Sequence, residues 1–493
     1  MSAETHTTTR RPGVVLVLVL ALQTMLILDV NVVNIALPDV KEALGFSPTS
    51  LSWVLNSYML AFGGLLLLGG RMGDIIGHRR GLLVGVTVFS LASLLGGLAN
   101  SSEMLLTARA LQGVGAAIAA PTVLSLIATH FTDDKSRAKA LGAYAAVSGS
   151  GAAIGLIGGG LLTDWLSWRW VLFINVPIGV ALLVLAPMFI HETDRTPGRF
   201  DLGGAFTSTV GMTALVYGFI RAAEQGWGDG LTLGSFALAV VLLLAFVLIE
   251  NNARQPITPL RLFADRNRAT GYLSLLFVMA AGNSMFFFLT QFLQEVRAFT
   301  PIQAGLAFVP LALLILASSN VAAKLLPKSG PRALTAIGAG AMAVSLVWFA
   351  QLDSTSGYVT ALLGPMIVAG LGMGVLLVGV TTILMSGIKP EESGAASGLL
   401  NVMQQIGGAL GLAIMVTVFG AATRGADVPA GLDSKGAADY VLTEGTTTAF
   451  VWGAGFTAAT VLLTLLMRKV PMGGGGDAAP QEASAPEEQV AAQ

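Results

Sequence analysis

The chain has 493 residues, 54% of them hydrophobic and only 11% charged, with a mean hydropathy of +0.75. Soluble domains carry about 25% charged residues, which excludes an ordinary soluble globular protein. The net charge of −1 identifies no partner, and the lack of cysteine removes disulfides, thiolate metal sites and a Cys nucleophile.

The start, Arg10-Arg11-Pro12-Gly13 before an apolar run, has the outline of a signal peptide. It lacks an A-x-A cleavage site, contains Asp29 and precedes many more apolar runs, so it reads as a retained first span. A span needs about 20 mostly apolar residues. Fourteen such runs occur: 14–37, 51–69, 81–100, 104–129, 138–162, 170–190, 202–221, 231–250, 269–295, 302–324, 333–351, 357–386, 394–421 and 446–467. The expected fold class is therefore an all-α integral membrane protein.

Span 1 carries Asp29, in Leu28-Asp29-Val30-Asn31-Val32-Val33-Asn34. A charge at mid-bilayer costs roughly 2.5–3.5 kcal/mol on insertion scales, so an acid there marks function by default. Asp29 reads as a proton-titratable group facing a central cavity, or as a structural acid bonded to Asn31 or Asn34. The loop after span 2 reads Gly70-Arg71-Met72-Gly73-Asp74-Ile75-Ile76-Gly77-His78-Arg79-Arg80. Its glycines permit close helix approach and a tight turn, and Asp74 is suited to a helix N-terminus. Span 4 holds Arg109, a second intramembrane charge, which either biases a nearby acid or snorkels to the interface. Span 5 carries Gly151, Gly155, Gly159 and Gly160, whose spacing makes small-xxx-small packing faces.

All four histidines lie in loops or at span ends, which argues against a metal site or an intramembrane His relay. No G-x-x-x-x-G-K-[ST] loop is present, so ATP is not the expected energy source. Basic residues alternate by loop: 20 of the 27 Lys and Arg fall in segments on the N-terminal side of the membrane and 6 opposite, with Arg109 inside a span. By the positive-inside rule both termini are expected in the cytoplasm. A faint repeat links Gly77-His78-Arg79-Arg80 with Gly330-Pro331-Arg332, each in a basic loop. The tail from Gly473 to Gln493 reads as disordered, and the loop from Thr423 to Gly445 has no assigned role.

Together these segments resemble the major facilitator superfamily, and within it the fourteen-helix drug:proton antiporter branch. The resemblance rests on Leu28-Asp29 through Pro38, on Gly70 to Arg80, and on Leu105 to Gly115 with Arg109, Gln112 and Gly113 matching. It extends to Gly151 through Gly160, where Leu156 stands in place of the family's usual proline. It also includes Trp168-Arg169-Trp170 through Asn175-Val176-Pro177 and Gly394 through Gly408. The resemblance implies two six-helix bundles, 14–190 and 269–467, with two extra helices over 202–250 between them. Residues 1–13 and 468–493 would be cytoplasmic.

The resemblance further implies proton-driven export of drug-like molecules, with Asp29 and Arg109 as coupling residues. Gly70, Asp74, Gly77, Arg79 and Arg80 would form a conformational latch, and the span-5 glycines the antiporter motif. No enzyme activity, cofactor, metal or nucleic-acid partner is implied. The expected partners are protons, lipid and a small hydrophobic or cationic substrate, for a monomer in the bacterial cytoplasmic membrane. Candidate cavity residues are Met25, Asn31, Asn34, Asn283 and Phe287, with Met279, Met285, Phe286 and Phe288, because Met and flat rings adapt to varied ligands. The alternatives are an exporter of one self-made antibiotic, or a membrane sensor with the same fold.

Overall fold

A computed structural model describes residues 12–131, 133–193, 195, 200–253, 260–388 and 393–468. The described residues are helical apart from short turns and connections. The leading residues 1–11 and the tail from 469 onward lie outside them. The first seven helices are α1 (Pro12–Leu44), α2 (Trp53–Ile76), α3 (His78–Gly97), α4 (Ser102–His130), α5 (Asp134–Trp165), α6 (Trp170–Phe173) and α7 (Asn175–Phe189). Two more, α8 (Leu202–Gln225) and α9 (Gly230–Asn252), form an antiparallel pair. The rest are α10 (Arg266–Gln291), α11 (Pro301–Ala307), α12 (Val309–Phe349), α13 (Leu363–Met385), α14 (Ser393–Arg424) and α15 (Ser434–Leu466).

Five of the chain's 28 acidic residues start helices. Asp133, Asp201, Asp229, Asp265 and Asp433 each accept a backbone N–H at the head of α5, α8, α9, α10 and α15. These caps satisfy N–H groups that the helix itself leaves unpaired.

Among the described residues twelve helical stretches are long and apolar enough to span, and α5, bent by 46° between Lys135–Gly151 and Ala153–Trp165, makes thirteen. The stretch Pro301–Phe349 counts as one of these but folds back on itself. Gly370 of α13 packs on Leu311 and Leu314, while Gly372, two residues on, packs on Gly338 and Ala341. Both arms of α12 therefore meet α13 at one level, which gives fourteen crossings. The reversal falls at Gly330, with φ 75° and ψ 156°. Gly77 turns α2 into α3 with φ 102° and ψ 141°. The two glycines of the faint sequence repeat thus share a left-handed backbone that side chains rarely adopt.

Helices α1 to α7 pack among themselves, as do α10 to α15, giving two six-span bundles. Helix α8 lies against both α2 and α14, and α9 packs chiefly on α8. The outer face of α9 is apolar and exposed, with Leu231, Leu244 and Leu248 about 60% accessible, as a lipid-facing helix requires.

Candidate functional site

Asp29 and Arg109 meet inside the N-terminal bundle. Asp29 is 1% exposed and Arg109 is 0% exposed. Arg109 Nη1 donates to Asp29 Oδ2 at 2.5 Å. The other carboxylate oxygen accepts from Gln112 Nε2 and Asn175 Nδ2, each at 2.9 Å. Gln112 also donates to Ser93 Oγ and accepts from Arg109, whose Nε donates to the Val54 carbonyl. Helices α1, α2, α3, α4 and α7 thus converge on one charge pair. A buried ion pair offsets its desolvation only when further hydrogen bonds satisfy the remaining valences, and here three donors surround the carboxylate. Asn31 and Asn34 are not among them: Asn31 donates to its own helix at Ile27, and Asn34 Oδ1 is buried without a partner. Gln112 and Asn175 lie within the family-like motifs, yet nothing in their sequence spacing indicates that they hold Asp29.

A cavity of about 1380 Å³ lies beside this cluster. Its floor carries Gln23, Asn31, Tyr58, Tyr144, Gln404 and Gln405. Its mouth carries the charged residues Arg71, Asp74, Asp201, Glu250 and Arg261, on the face where the basic loops gather. Asp29 does not line it. Tyr58 stands between, lining the cavity while its ring lies 4.5 Å from the Arg109 guanidinium carbon. This is cation–π distance.

Of the five principal cavity candidates only Asn31 lines this space. Met25, Met285 and Phe287 are fully buried, and Met279, Phe288 and Asn34 nearly so. Phe288 stacks on Phe419, Phe286 packs against Phe308, and Asn283 donates to its own helix at Met279. Helix α10 is held between α13, α14 and α15, so its aromatic run forms core.

The opposite face is shut. Lys41 of α1 pairs with Glu295, just past α10, at 2.6 Å, and Gln294 donates to the Ile35 carbonyl. Of the span-5 glycines, Gly160 joins the same seal, while Gly151, Gly155 and Gly159 pack α5 on α1. A Cβ on Gly151 would lie 2.5 Å from Ile27 Cγ2, on Gly155 2.8 Å from Asn31 Cβ, and on Gly159 2.8 Å from Val32 Cα. One on Gly160 would lie 2.7 Å from Ile302 Cα, and Gly305 of α11 abuts the Leu156 carbonyl. Small residues let α5 touch α1 on one side and the C-terminal bundle on the other. The helix bends beside Gly151 although residue 156 is leucine, consistent with glycine as a cause of kinks.

A model of the Major Facilitator Superfamily matches residues 19–412. The chain belongs to this superfamily. It is 42% identical to the puromycin resistance protein of Streptomyces alboniger over 476 residues, covering 95% of this chain and 93% of that one. It is also 42% identical to the cephamycin export protein of Amycolatopsis lactamdurans over 415 residues, 83% and 85% of the two chains. A crystal structure of a bacterial homolog of the human lysosomal transporter Spinster, inward-facing and occupied, superposes with a TM-score of 0.67. At 17% identity, covering 92% of this chain and 96% of that one, this likeness speaks to the fold alone. The superfamily makes the protein a transporter and not an enzyme.

In this transporter the signature loop sits at the cavity mouth. Gly70 and Asp74 line the cavity, and Asp74 has Arg71 and His78 within 3.8 Å. The N-terminus of α3 is held by groups other than Asp74. Glu192 Oε1 accepts from Arg79 N, and Thr193 Oγ1 accepts from His78 N, at the start of α3. Glu192 also lies 3.7 Å from the Nε atoms of Arg79 and Arg80. Gly77 leaves room for that carboxylate, since a Cβ there would overlap it. Glu192 follows span 6 and shows no motif in the sequence, which is why sequence reading misses it.

Proposed function

We propose that this protein exports drug-like compounds or antibiotics in exchange for protons, by alternating access across the bacterial cytoplasmic membrane. The observation that carries the reading is the enclosed Asp29–Arg109 pair beside a cavity open on the basic face and shut on the other. The basic face is the cytoplasmic one by the positive-inside rule, so both termini lie there and this conformation faces inward. The two bundles, 14–190 and 269–467, would rock about the cavity with 202–250 as an inserted pair. Asp29 exchanges a proton for the substrate, with Arg109 as its partner in the buried pair. Asp74 with Arg79 and Arg80 latches the opposite conformation, in which the mouth closes. The protein acts as a monomer.

The test is proton movement in energised inverted vesicles. Substrate is expected to collapse the pH gradient in wild type and fail to do so in Asp29→Asn. A response that persists in Asp29→Asn removes that residue from the proton path. No response from folded wild type to any compound defeats the antiport reading.

A second reading, export of one antibiotic, is favoured by the relatives, which are named for puromycin and for cephamycin. Response to a single scaffold across a broad panel would select it.

A further inference from the structure

The charged groups of the cavity lie at its mouth, and its floor is neutral. Asp74 lies 16 residues along α2 from Tyr58, about 24 Å at the helical rise. On α14, Gln404 lies ten residues, about 15 Å, beyond Gly394 at the mouth. At that depth the polar wall is made of carboxamides and phenols: Gln23, Asn31, Gln404 and Gln405, with Tyr58 and Tyr144.

Tyr58 lines the cavity with its ring only, because its hydroxyl is buried out of reach. The carboxamides are what point to a ligand. Gln404 and Gln405 make no side-chain hydrogen bond to the protein among the described residues. Each carboxamide offers two N–H donors and a carbonyl acceptor. The acid that a cation would seek, Asp29, is 1% exposed, and Arg109, Gln112 and Asn175 already occupy its oxygens. A cation at the floor would therefore find no available counter-charge beside it to offset the water it gives up, which is costly.

We infer that Gln404, Gln405 and Asn31 form a neutral hydrogen-bonding subsite, and that the substrate presents uncharged carbonyl, amide or hydroxyl groups to it. The inference rests on the export reading for its biological meaning, and of the hydrophobic or cationic substrates expected from the sequence the cationic ones become the poorer ligands. Gln405 packs its Cβ against Gly63 of α2, where α2 and α14 cross. Gln404 is the freer position for substitution.

The test is equilibrium binding to the full-length protein in nanodiscs. The uncharged probes are chloramphenicol and thiamphenicol, each with an amide and hydroxyls. The cationic probe is tetraphenylphosphonium, which has no hydrogen-bonding group. Wild type is expected to bind the uncharged probes more tightly. Gln404→Leu and Gln405→Leu should each weaken them about tenfold, the worth of one hydrogen bond, and leave the cation unchanged. Gln404→Glu should reverse the order by drawing the cation in. Should Gln404→Leu fail to fold, Gln405→Leu and Gln404→Glu still decide. Preference for tetraphenylphosphonium in wild type, binding of neither uncharged probe, or indifference of both probes to all three substitutions overturns the inference. Uncharged-probe binding without any transport in vesicles would instead defeat the export reading and leave the subsite standing.

Discussion

Arg109 is held by Asp29, Gln112, the Val54 carbonyl and the Tyr58 ring, and one of its nitrogens, Nη2, is buried without a partner. Removing one member of a buried pair leaves the other charge uncompensated, which costs about 3–5 kcal/mol. Arg109→Ala is therefore expected to lower the thermal unfolding midpoint in detergent sharply. Asp29→Asn with Arg109→Ala should recover some of that loss, because no lone charge remains. A double variant no more stable than Arg109→Ala would mean that the two residues do not interact. The lysine alternative is not conservative here, since an ammonium cannot reproduce the planar fork that reaches Asp29, Gln112 and Val54 together.

At the scale of elements, α5 is the helix on which both bundles close. Gly159 meets the Val32 backbone and Gly160 meets Ile302, so even one methyl at either position must push the touching helices apart. Gly160→Val is expected to fold but to open the seal, abolishing export while raising the reactivity of a thiol introduced at Lys41. Unchanged thiol reactivity would remove α5 from the seal. The extra pair α8–α9 has its own clasp. Arg221 Nε donates to Asp229 at 2.6 Å, and with the Thr232 N–H it holds the Asp229 carboxyl at about 2. The folded value lies below the unfolded one, so the clasp contributes fully above the unfolded carboxylate value and fades as pH falls through about 2. Because the group is exposed, Asp229→Asn should lower the unfolding midpoint only slightly. The difference should stay constant from about pH 5 to pH 8, since Asp229 remains ionised throughout that range.

For the whole molecule, the two faces must open in turn, and the Lys41–Glu295 pair bridges the bundles on the closed one. The chain has no cysteine of its own, so a reporter can be placed there without background. The Lys41→Cys/Glu295→Cys pair, bridged by a short bifunctional thiol reagent, is expected to stop export while leaving substrate binding from the basic face intact. Transport that continues with the bridge in place would show that this face does not open between the two residues. Helix α8 ties the halves at the same end. Glu224 accepts from Thr49 and Ser47, while Thr417 and Arg424 of α14 donate to the Phe219 and Ala223 carbonyls. Rocking must loosen one of these sets.

Span number, the first-bundle charges Asp29 and Arg109, and the glycine faces of span 5 were determined by the sequence alone. Each is a local property: apolar length, a charge where charges are costly, and small-residue spacing leave a mark within some twenty residues. Even the return at Gly330 is legible, as the gap between two runs. What only the tertiary structure decided is which distant groups meet. Asp29 and Arg109 are 80 residues apart, and Asn175 is 146 from Asp29, so no local pattern records their contact. Nor does hydropathy separate a phenylalanine that faces a cavity from one packed between helices, and the α10 aromatics proved to be core. The cavity received carboxamides because α14 turns Gln404 and Gln405 toward it, and that rotation is set by packing against α2 and α10, not by α14's own sequence.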